Sequence, residues 1–192
     1  MNSIFRLLSV FILVFWAGYW KLRASQSKKE KPEIARKRTF IYLLSKYGSW
    51  VLDAFVLIQL AGYSFLPIHL GPSGQIIGII LVCIGFLIAV FARISLDSNW
   101  SNAFEYQIKK KHELITRGVY QYIRHTIYTG MILAGTGAEL VAESYVFIPV
   151  FVVMSIWAYT QAKKEERILS THFGKSYQEY INKSWMFFPS II

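Results

Sequence analysis

The chain has 192 residues, 54% of them hydrophobic, and its 21 Lys and Arg against 11 Asp and Glu give a formal net charge of +10. Its one cysteine, Cys83, excludes an intrachain disulfide, and no Cys/His spacing predicts a metal site. We expect no nucleic-acid partner, because the basic residues accompany apolar segments and no nucleic-acid-binding motif is present.

Long apolar windows decide the structural class, since a transmembrane helix needs about 20 mostly apolar residues. Five windows qualify or come close: about 4–20, 48–68, 74–94, 127–142 and 145–161. The first ends in aromatic residues and Lys21 rather than in a small-residue cleavage site, which indicates a retained helix and not a signal peptide. The sequence therefore predicts an all-α integral membrane protein with about five transmembrane helices.

Basic residues predict the orientation of these helices. Nine Lys or Arg lie between Lys21 and Lys46, and more follow the third and fifth windows, whereas the loop "LPIHLGPSGQ" and the turn "AES" have none. Basic loops stay on the cytoplasmic side. We therefore expect the N-terminus outside, the C-terminus inside, and contact of the basic loops with anionic membrane lipids.

Local signals mark shorter features between and after the windows. In the basic connector 21–46, Pro32 followed by Glu33 predicts the start of a short helix. Glycines in the third window predict close helix packing: Gly74, Gly78 and Gly85. After the fifth window, "EERILSTHF" has helical spacing with Gly174 as a C-cap, and "SYQEYI" predicts another short helix.

Two polar blocks thus flank the last apolar hairpin, on the same side of the membrane. We divide the chain into an N-terminal three-helix membrane region, residues 1–94, and a cofactor-binding and catalytic region, residues 95–192, which includes the last two transmembrane helices and a cytoplasmic helical cap. Arg124 and His125 stand at the entry of this hairpin and Glu165 at its exit. Charge near hydrocarbon is costly and usually has a partner or a function.

Each polar residue taken alone has an ordinary explanation. Arg124 would extend to lipid headgroups, and Glu166 would pair on a solvated surface with one of the nearby basic residues: Lys163, Lys164 and Arg167. Glu165 differs, because it follows Gln161 by four residues and lies on the same helix face, nearer the apolar hairpin.

Taken together, these residue types suit a cofactor with a carboxylate, an amine, a ribose and a base. Arginine suits an anionic group, a carboxylate suits an ammonium, a hydroxyl or a sulfonium, and tyrosine suits a purine face. No G-x-G-x-x-G follows a predicted strand and no P-loop is present, so neither common nucleotide cradle applies.

The motifs of this region resemble those of the isoprenylcysteine carboxyl methyltransferase family. "HELITRGVYQYIRHTIYTG" is followed after the last hairpin by "EERILSTHFGKSYQEY". The family pattern reads roughly His-x-Leu-Val-Thr-x-Gly-Val-Tyr, then Arg-His-Pro-x-Tyr-x-Gly, then Glu-Glu and Phe-Gly-x-x-Tyr-x-x-Tyr. The similar stretch covers residues 100–190 and looks close to a small prokaryotic member with five spans.

This resemblance implies a membrane methyltransferase that uses S-adenosylmethionine, releases S-adenosylhomocysteine and binds both in a cytosolic cap. A lipophilic or lipidated acceptor, with a prenylcysteine-type carboxylate as the first candidate, would enter from the bilayer. By position, the resemblance implies these cofactor-binding residues: Glu105, His112, Leu114, Ile115, Tyr120, His125, Tyr128 and Glu165. It implies Arg124 and Glu165 as the catalytic residues.

Two positions depart from the family pattern. Thr126 replaces the proline of Arg-His-Pro, although its hydroxyl can bond nearby backbone, and Gln161 stands where eukaryotic prenylcysteine members carry an arginine suited to the acceptor's carboxylate. Three alternatives stay open: a phospholipid amine N-methyltransferase, an NADPH-dependent membrane reductase, and a structural membrane protein. An amine acceptor would need a base, for which Glu165 or His125 is available.

Overall fold

The computed structural model describes residues 2–27, 32–35, 40–100, 107–109 and 112–188. Six α-helices contain most of them: α1 Asn2–Ser27, α2 Phe40–Leu60, α3 Gly71–Leu96, α4 Thr126–Val141, α5 Phe147–Phe173 and α6 Lys175–Ile181. Short 3₁₀ turns cover Asp97–Asn99 and Gly118–Gln121. The predicted helical class is confirmed, and each predicted apolar window overlaps a helix.

The helices differ in length from the apolar windows. In the described part of the chain, two segments are long and apolar enough to cross a membrane, Ser3–Arg23 and Gly71–Leu96. The predicted end of the second window is wrong, because α2 stops at Leu60. Gly62 has a φ of +114°, which breaks the helix. Beyond it the chain bonds across to the α4–α5 turn, where the Ile68 N–H donates to the Glu143 carbonyl at 2.8 Å.

The connector contains a strand rather than a helix. Strand β1, Pro32–Ala35, pairs antiparallel with β2, Gln107–Lys109, and Ile34 lies opposite Ile108. The predicted helix start at Pro32 and Glu33 is therefore wrong. The partner strand lies far along the chain, so this tertiary pairing overrides the local signal.

Helices α3 and α4 pack backbone against backbone through two glycine pairs. A Cβ added to Gly78 would stand 2.7 Å from the Gly137 carbonyl oxygen, and one added to Gly85 would stand 2.5 Å from that of Gly130. The prediction of close packing is confirmed for Gly78 and Gly85. It is wrong for Gly74, because the nearest neighbour of a Cβ added there is Leu70, the N-cap residue of the same helix. This packing fixes the start of α4, where the candidate site begins.

Helix α5 continues without interruption past its apolar part. The predicted helical stretch after the fifth window forms its last turns, and Gly174 ends it with a φ of +54° while its N–H donates to the Ser170 carbonyl at 2.9 Å. The predicted short helix is α6. A buried apolar cluster joins α4, α5 and the C-terminal residues: Tyr128, Ile132, Ala158, Ala162 and Met186.

A buried polar pair that the sequence analysis overlooked ties α2 to α4. Gln59 donates from its Nε2 to the Glu139 carboxylate and accepts the Phe65 N–H at 2.8 Å. Glu139 is fully buried. This pair lies near the end of α4 opposite to Arg124 and His125, so it belongs to the helix packing and not to the candidate site.

Candidate active site

His125 lies at the N-cap of α4 between two carboxylates of α5. Its Nδ1 is 3.5 Å from Glu165 Oε2, and its Nε2 is 3.4 Å from Glu166 Oε1. The ring stacks on Tyr128, with 5.8 Å between centroids and 12° between planes. An imidazole can donate to two carboxylates at once only when both nitrogens carry a proton. The geometry therefore favours the imidazolium form of His125.

Tyr128 holds the second oxygen of Glu165. The phenol hydroxyl donates to Glu165 Oε1 across the α4–α5 interface. Trp157, about two helical turns before Glu165 in α5, packs edge-on to the Tyr128 ring at 5.5 Å. The Glu165 side chain is still 17% exposed, against 9% for that of Glu166. His125, Tyr128 and Glu165 form the contact set of the site.

Arg124 is occupied by protein partners rather than by lipid or solvent. Its Nε is 3.1 Å from Glu166 Oε1, and its Nη1 donates to the carbonyl oxygens of Ile181, at 3.1 Å, and Ser184. The prediction that Glu166 lies on a solvated surface is wrong, because Glu166 is buried and contacts Arg124. Of the suggested surface partners, Lys163 does contact it, with Nζ 3.3 Å from Oε2.

Sequence reasoning placed Glu166 near the mouth of the hairpin but missed its burial, although a signal was present. Glu166 follows the buried Ala162 by four residues and Ala158 by eight, which places all three on one face of α5. The charge of Glu166 and its basic neighbours hid this periodicity.

The C-terminal residues 184–188 lie beside the chain that leads into α4. Trp185 pairs with Ile123 in a parallel bridge, and the His125 N–H donates to the Met186 carbonyl at 3.1 Å. The Phe187 ring stands 5.8 Å from the His125 ring. No sequence motif predicts this contact, because it is mostly between backbone groups. It closes one side of the site.

The charges of this cluster reinforce each other. Burial works against the ionisation of Glu166, but the hydrogen bond and charge of His125 and the charge of Arg124 outweigh it and lower its pKa to about 2. Burial alone would lower the pKa of His125, yet its hydrogen bonds to Glu165 and Glu166 raise it above the ordinary 6.5. The site thus holds two carboxylates neutralised by two buried cations.

Other predicted residues lie around this contact set. Ile115 and Tyr120 are buried together against Ala92 at the end of α3. Burial raises the pKa of the Tyr120 phenol, and the charge of Glu165 raises it further, which places Tyr120 within electrostatic range of the site. Leu114 is half-buried beside Ile115 in the chain.

The two remaining predicted residues are less central. The His112 ring lies 6.0 Å from Phe173, at the end of α5 and eight residues, or about 12 Å of helix, beyond Glu165. Glu105 falls outside the described residues. Both stay predictions.

The two positions that depart from the family pattern are both buried. Thr126 begins α4, and its hydroxyl donates to the Ile123 carbonyl at 2.6 Å, which replaces the rigidity of a proline by a hydrogen bond. Gln161 lies on α5 one turn before Glu165. An uncharged amide therefore occupies this position beside the site.

The donor set fits a cofactor with a cationic end and an aromatic base. Glu165 is the exposed carboxylate of the pair and suits an ammonium, a sulfonium or a ribose hydroxyl. Two aromatic rings lie beside it, those of Tyr128 and Trp157. Arg124, by contrast, already has a carboxylate and two carbonyls as partners, so its first role in this structure is to hold Glu166 and the C-terminal residues.

Comparison with known proteins identifies relatives of this chain. A family model described as phospholipid methyltransferase matches residues 74–176. Protein-S-isoprenylcysteine O-methyltransferase of Dictyostelium discoideum is 28% identical over 117 residues, which cover 60% of this chain and 49% of that protein. The protein of the same name from Schizosaccharomyces pombe is 27% identical over 104 residues, or 53% of this chain and 44% of the relative. The chain spans about half the length of these relatives.

The fold also has a counterpart among solved structures. The eukaryotic intramembrane Ras methyltransferase, isoprenylcysteine carboxyl methyltransferase, superimposes with a TM-score of 0.57 and 21% identity, over 81% of this chain and 55% of the other. The resemblance to isoprenylcysteine carboxyl methyltransferases is confirmed. Since the family model covers more than half of the residues and includes every contact among His125, Tyr128 and Glu165, the chain belongs to the phospholipid methyltransferase family.

Proposed function

We propose that the protein is an S-adenosylmethionine-dependent methyltransferase of the membrane that methylates a lipophilic acceptor. The observation that carries this proposal is the contact of Glu165 with both His125 and Tyr128 at the mouth of the α4–α5 hairpin, inside the region that matches the family model. A polar site beside apolar helices suits a reaction between a water-soluble cofactor and a lipid-borne acceptor.

The cofactor would supply an electrophilic methyl group on its sulfonium. In this chain, Glu165 would hold the cationic end, because it is the more exposed carboxylate and Tyr128 and His125 fix its orientation. Glu166 and Arg124 would hold His125 and the C-terminal residues in place. The buried apolar cluster behind Tyr128 would exclude water from the reacting groups.

The proposed arrangement has five transmembrane helices, α1 to α5, with the N-terminus outside and the site on the cytoplasmic side. Large apolar side chains are exposed along α1, α2, α3 and α5, as expected for surfaces that face lipid. Most basic residues follow the inner ends predicted for these helices. The last turns of α5, with α6 and residues 184–188, would form the cytoplasmic cap.

The first candidate acceptor is a prenylcysteine-type carboxylate. The relatives named above support it, since their names specify S-isoprenylcysteine as the group they methylate. A carboxylate is already ionised and needs no base, so alignment and exclusion of water would suffice.

The second candidate acceptor is a phospholipid amine, and the family model favours it by its description. An amine must lose a proton in the reaction, so it needs a base. Glu165 would serve, because both nitrogens of His125 already face carboxylates.

The proposal is tested by titrating S-adenosylhomocysteine, and separately NADPH, into the full chain in mild detergent by calorimetry. We expect the first to bind and Glu165→Ala to abolish binding, while Glu179→Ala, a change of an exposed glutamate in α6, leaves it unchanged. Binding of NADPH alone would instead assign the site to a reductase. A folded sample that binds neither would overturn the proposal.

A further inference from the structure

Arg93 is a second buried arginine at the same end of the bundle as the candidate site. It lies in the last turn of α3 and is only 2% exposed. Its Nη1 donates to the Asp97 carbonyl at 2.9 Å, and its Nη2 donates to the Arg23 carbonyl of α1 at 3.2 Å. Its Nε is buried and has no hydrogen-bond partner among the residues that the structure describes.

The charge of Arg93 is not neutralised in the way that of Arg124 is. Arg124 lies 3.1 Å from a carboxylate oxygen, whereas within the described ranges no carboxylate comes within salt-bridge distance of Arg93. Asp97 contributes its carbonyl oxygen and acts through its charge only at longer range. A buried cation without a counter-ion is costly, and such residues usually mark a site.

Aromatic side chains surround this guanidinium. It lies over the Trp100 ring, 4.5 Å from the centroid, and Trp100 in turn packs edge-on to Trp20 of α1 at 6.2 Å. Among the described residues, the buried hydroxyl of Tyr19 also has no hydrogen-bond partner, and it lies within electrostatic range of Arg93. Arg93 Nε–H can only donate and the Tyr19 hydroxyl can donate as well, so one acceptor group would satisfy both.

The place adjoins the candidate active site. Ala92, next to Arg93 in the chain, packs against Ile115 and Tyr120. The charges of both Arg93 and Glu165 act on the Tyr120 phenol, which is therefore within electrostatic range of both. A molecule that reached Arg93 along α1 and α3 would extend toward the cofactor position implied by the resemblance.

A purely structural role explains only part of this arrangement. Arg93 caps the C-terminal end of α3 and ties it to α1, which accounts for Nη1 and Nη2. That role leaves Nε and the Tyr19 hydroxyl without partners among the described residues, and the positive charge without a carboxylate in contact. An anionic oxygen group would satisfy all three at once.

We propose that Arg93, with Tyr19, binds the carboxylate or phosphate of an amphipathic molecule that enters between α1 and α3. The molecule is either the methyl acceptor, in which case the inference rests on the proposed function, or a phospholipid. The half-buried side chains of Tyr19 and Trp20 line the approach, and the apolar part of the molecule stays among the exposed apolar residues of α1 and α3.

The test compares a carboxylate with its uncharged counterpart. We titrate N-acetyl-S-farnesylcysteine, and separately its carboxamide, into the full chain in detergent and phosphate-free buffer. The quenching of tryptophan fluorescence gives both affinities. We expect wild type to prefer the carboxylate by about tenfold or more and Arg93→Gln to lose that preference. Arg6→Gln is the matched control, since Arg6 also donates to a carbonyl, that of Ala142 at 3.0 Å, at the other end of the bundle.

A second titration separates the two sources of the anionic group. Phosphatidylglycerol is added to detergent samples while the melting temperature is followed. A stabilisation that Arg93→Gln abolishes, with equal binding of the two farnesyl compounds, assigns the site to a phospholipid. The inference is overturned if wild type shows neither a preference for the carboxylate nor stabilisation by phosphatidylglycerol. It is also overturned if Arg93→Gln retains both.

Folding and the proposed function are controlled separately. If Arg93→Gln does not fold, Arg93→Lys replaces it, because lysine keeps the charge and lacks the Nε donor, and we expect a reduced preference. Binding of S-adenosylhomocysteine is measured on every variant. If wild type does not bind S-adenosylhomocysteine, the proposed function is wrong. The phosphatidylglycerol titration still decides whether Arg93 binds an anion.

Discussion

Arg124 Nε and His125 Nε2 share one oxygen of Glu166, at 3.1 and 3.4 Å respectively. The side chains of Arg124 and Glu166 are each 9% exposed. Because Arg124 also donates to the carbonyls of Ile181 and Ser184, this single carboxylate joins α4, α5 and the C-terminal residues. Glu166 is thus the buried carboxylate of the pair, and Glu165 is the more exposed one.

The losses of stability on removing Arg124 and Glu166 are expected to be strongly non-additive. Arg124→Met leaves the buried Glu166 carboxylate with His125 and the exposed Lys163 only, and Glu166→Leu leaves the Arg124 guanidinium with carbonyl oxygens only, at a cost of about 3–5 kcal/mol each. The double variant removes both charges, so its loss should be well below the sum of the two. Unfolding in detergent of wild type, both single variants and the double variant measures this; strictly additive losses would contradict it.

Lys163 provides the control for the same experiment. Its ammonium contacts Glu166 at 3.3 Å, but its side chain is 48% exposed. Lys163→Met is therefore expected to change the free energy of unfolding by no more than about 1 kcal/mol.

The stability of the protein should depend on pH through Glu166 and His125. The pKa of Glu166 falls from 4.5 to about 2 on folding, so its contribution is complete above pH 4.5 and is lost as the pH falls toward 2. The pKa of His125 is raised above 6.5, so its contribution is complete below pH 6.5 and is lost as the pH rises through the folded value. Melting temperatures should therefore decline on both sides of the range from 4.5 to 6.5.

Substitution of His125 isolates the alkaline half of this dependence. We expect His125→Asn to be less stable overall and to lose the decline above pH 6.5. His69→Asn, a change of an exposed histidine between α2 and α3, should keep the wild-type profile. An unchanged alkaline decline in His125→Asn would assign it to another group.

Tyr128→Phe is expected to weaken cofactor binding without unfolding the protein. The substitution removes the hydroxyl that donates to Glu165 and leaves the ring against His125 and Trp157. A hydrogen bond to a charged group contributes enough to lower the affinity for S-adenosylhomocysteine by about tenfold or more. Calorimetry measures this, with Tyr145→Phe at the exposed far end of the hairpin as control. An unaltered affinity would mean that Tyr128 does not orient Glu165 for the cofactor.

The sequence predicted the helices well, because long apolar runs and a glycine C-cap are local signals. It also predicted that His125, Tyr128 and Glu165 lie close together. The chain enters the last hairpin at His125 and Tyr128 and leaves it near Glu165, on the same side of the membrane. The resemblance to a known family added His112, Leu114, Ile115 and Tyr120, which periodicity alone would not select.

What the sequence could not predict depends on tertiary contacts. Glu166 was assigned to a solvated surface because its nearest basic residues in the chain are on α5, whereas its buried partners, Arg124 and His125, directly precede α4. Strand β1 pairs with a segment some seventy residues away. Residues 184–188 attach through backbone hydrogen bonds, which carry almost no residue signature.

The glycine pairs of α3 and α4 give the last prediction. An alanine Cβ at position 85 would lie 2.5 Å from the Gly130 carbonyl oxygen and 2.7 Å from the Ala134 nitrogen, and both are backbone atoms of α4. The helices must separate to admit it, so Gly85→Ala should destabilise the protein by about 1–3 kcal/mol.

Gly18 is the matched control in α1, where nothing lies within 4 Å of an added Cβ. Gly18→Ala should be neutral or stabilising by about 0.5–1 kcal/mol, since alanine has the higher helix propensity. Because α4 carries His125 and Tyr128, Gly85→Ala should also reduce the affinity for S-adenosylhomocysteine, and Gly18→Ala should not. Equal stability and affinity of the two variants would show that the close approach of α3 and α4 does not position the site.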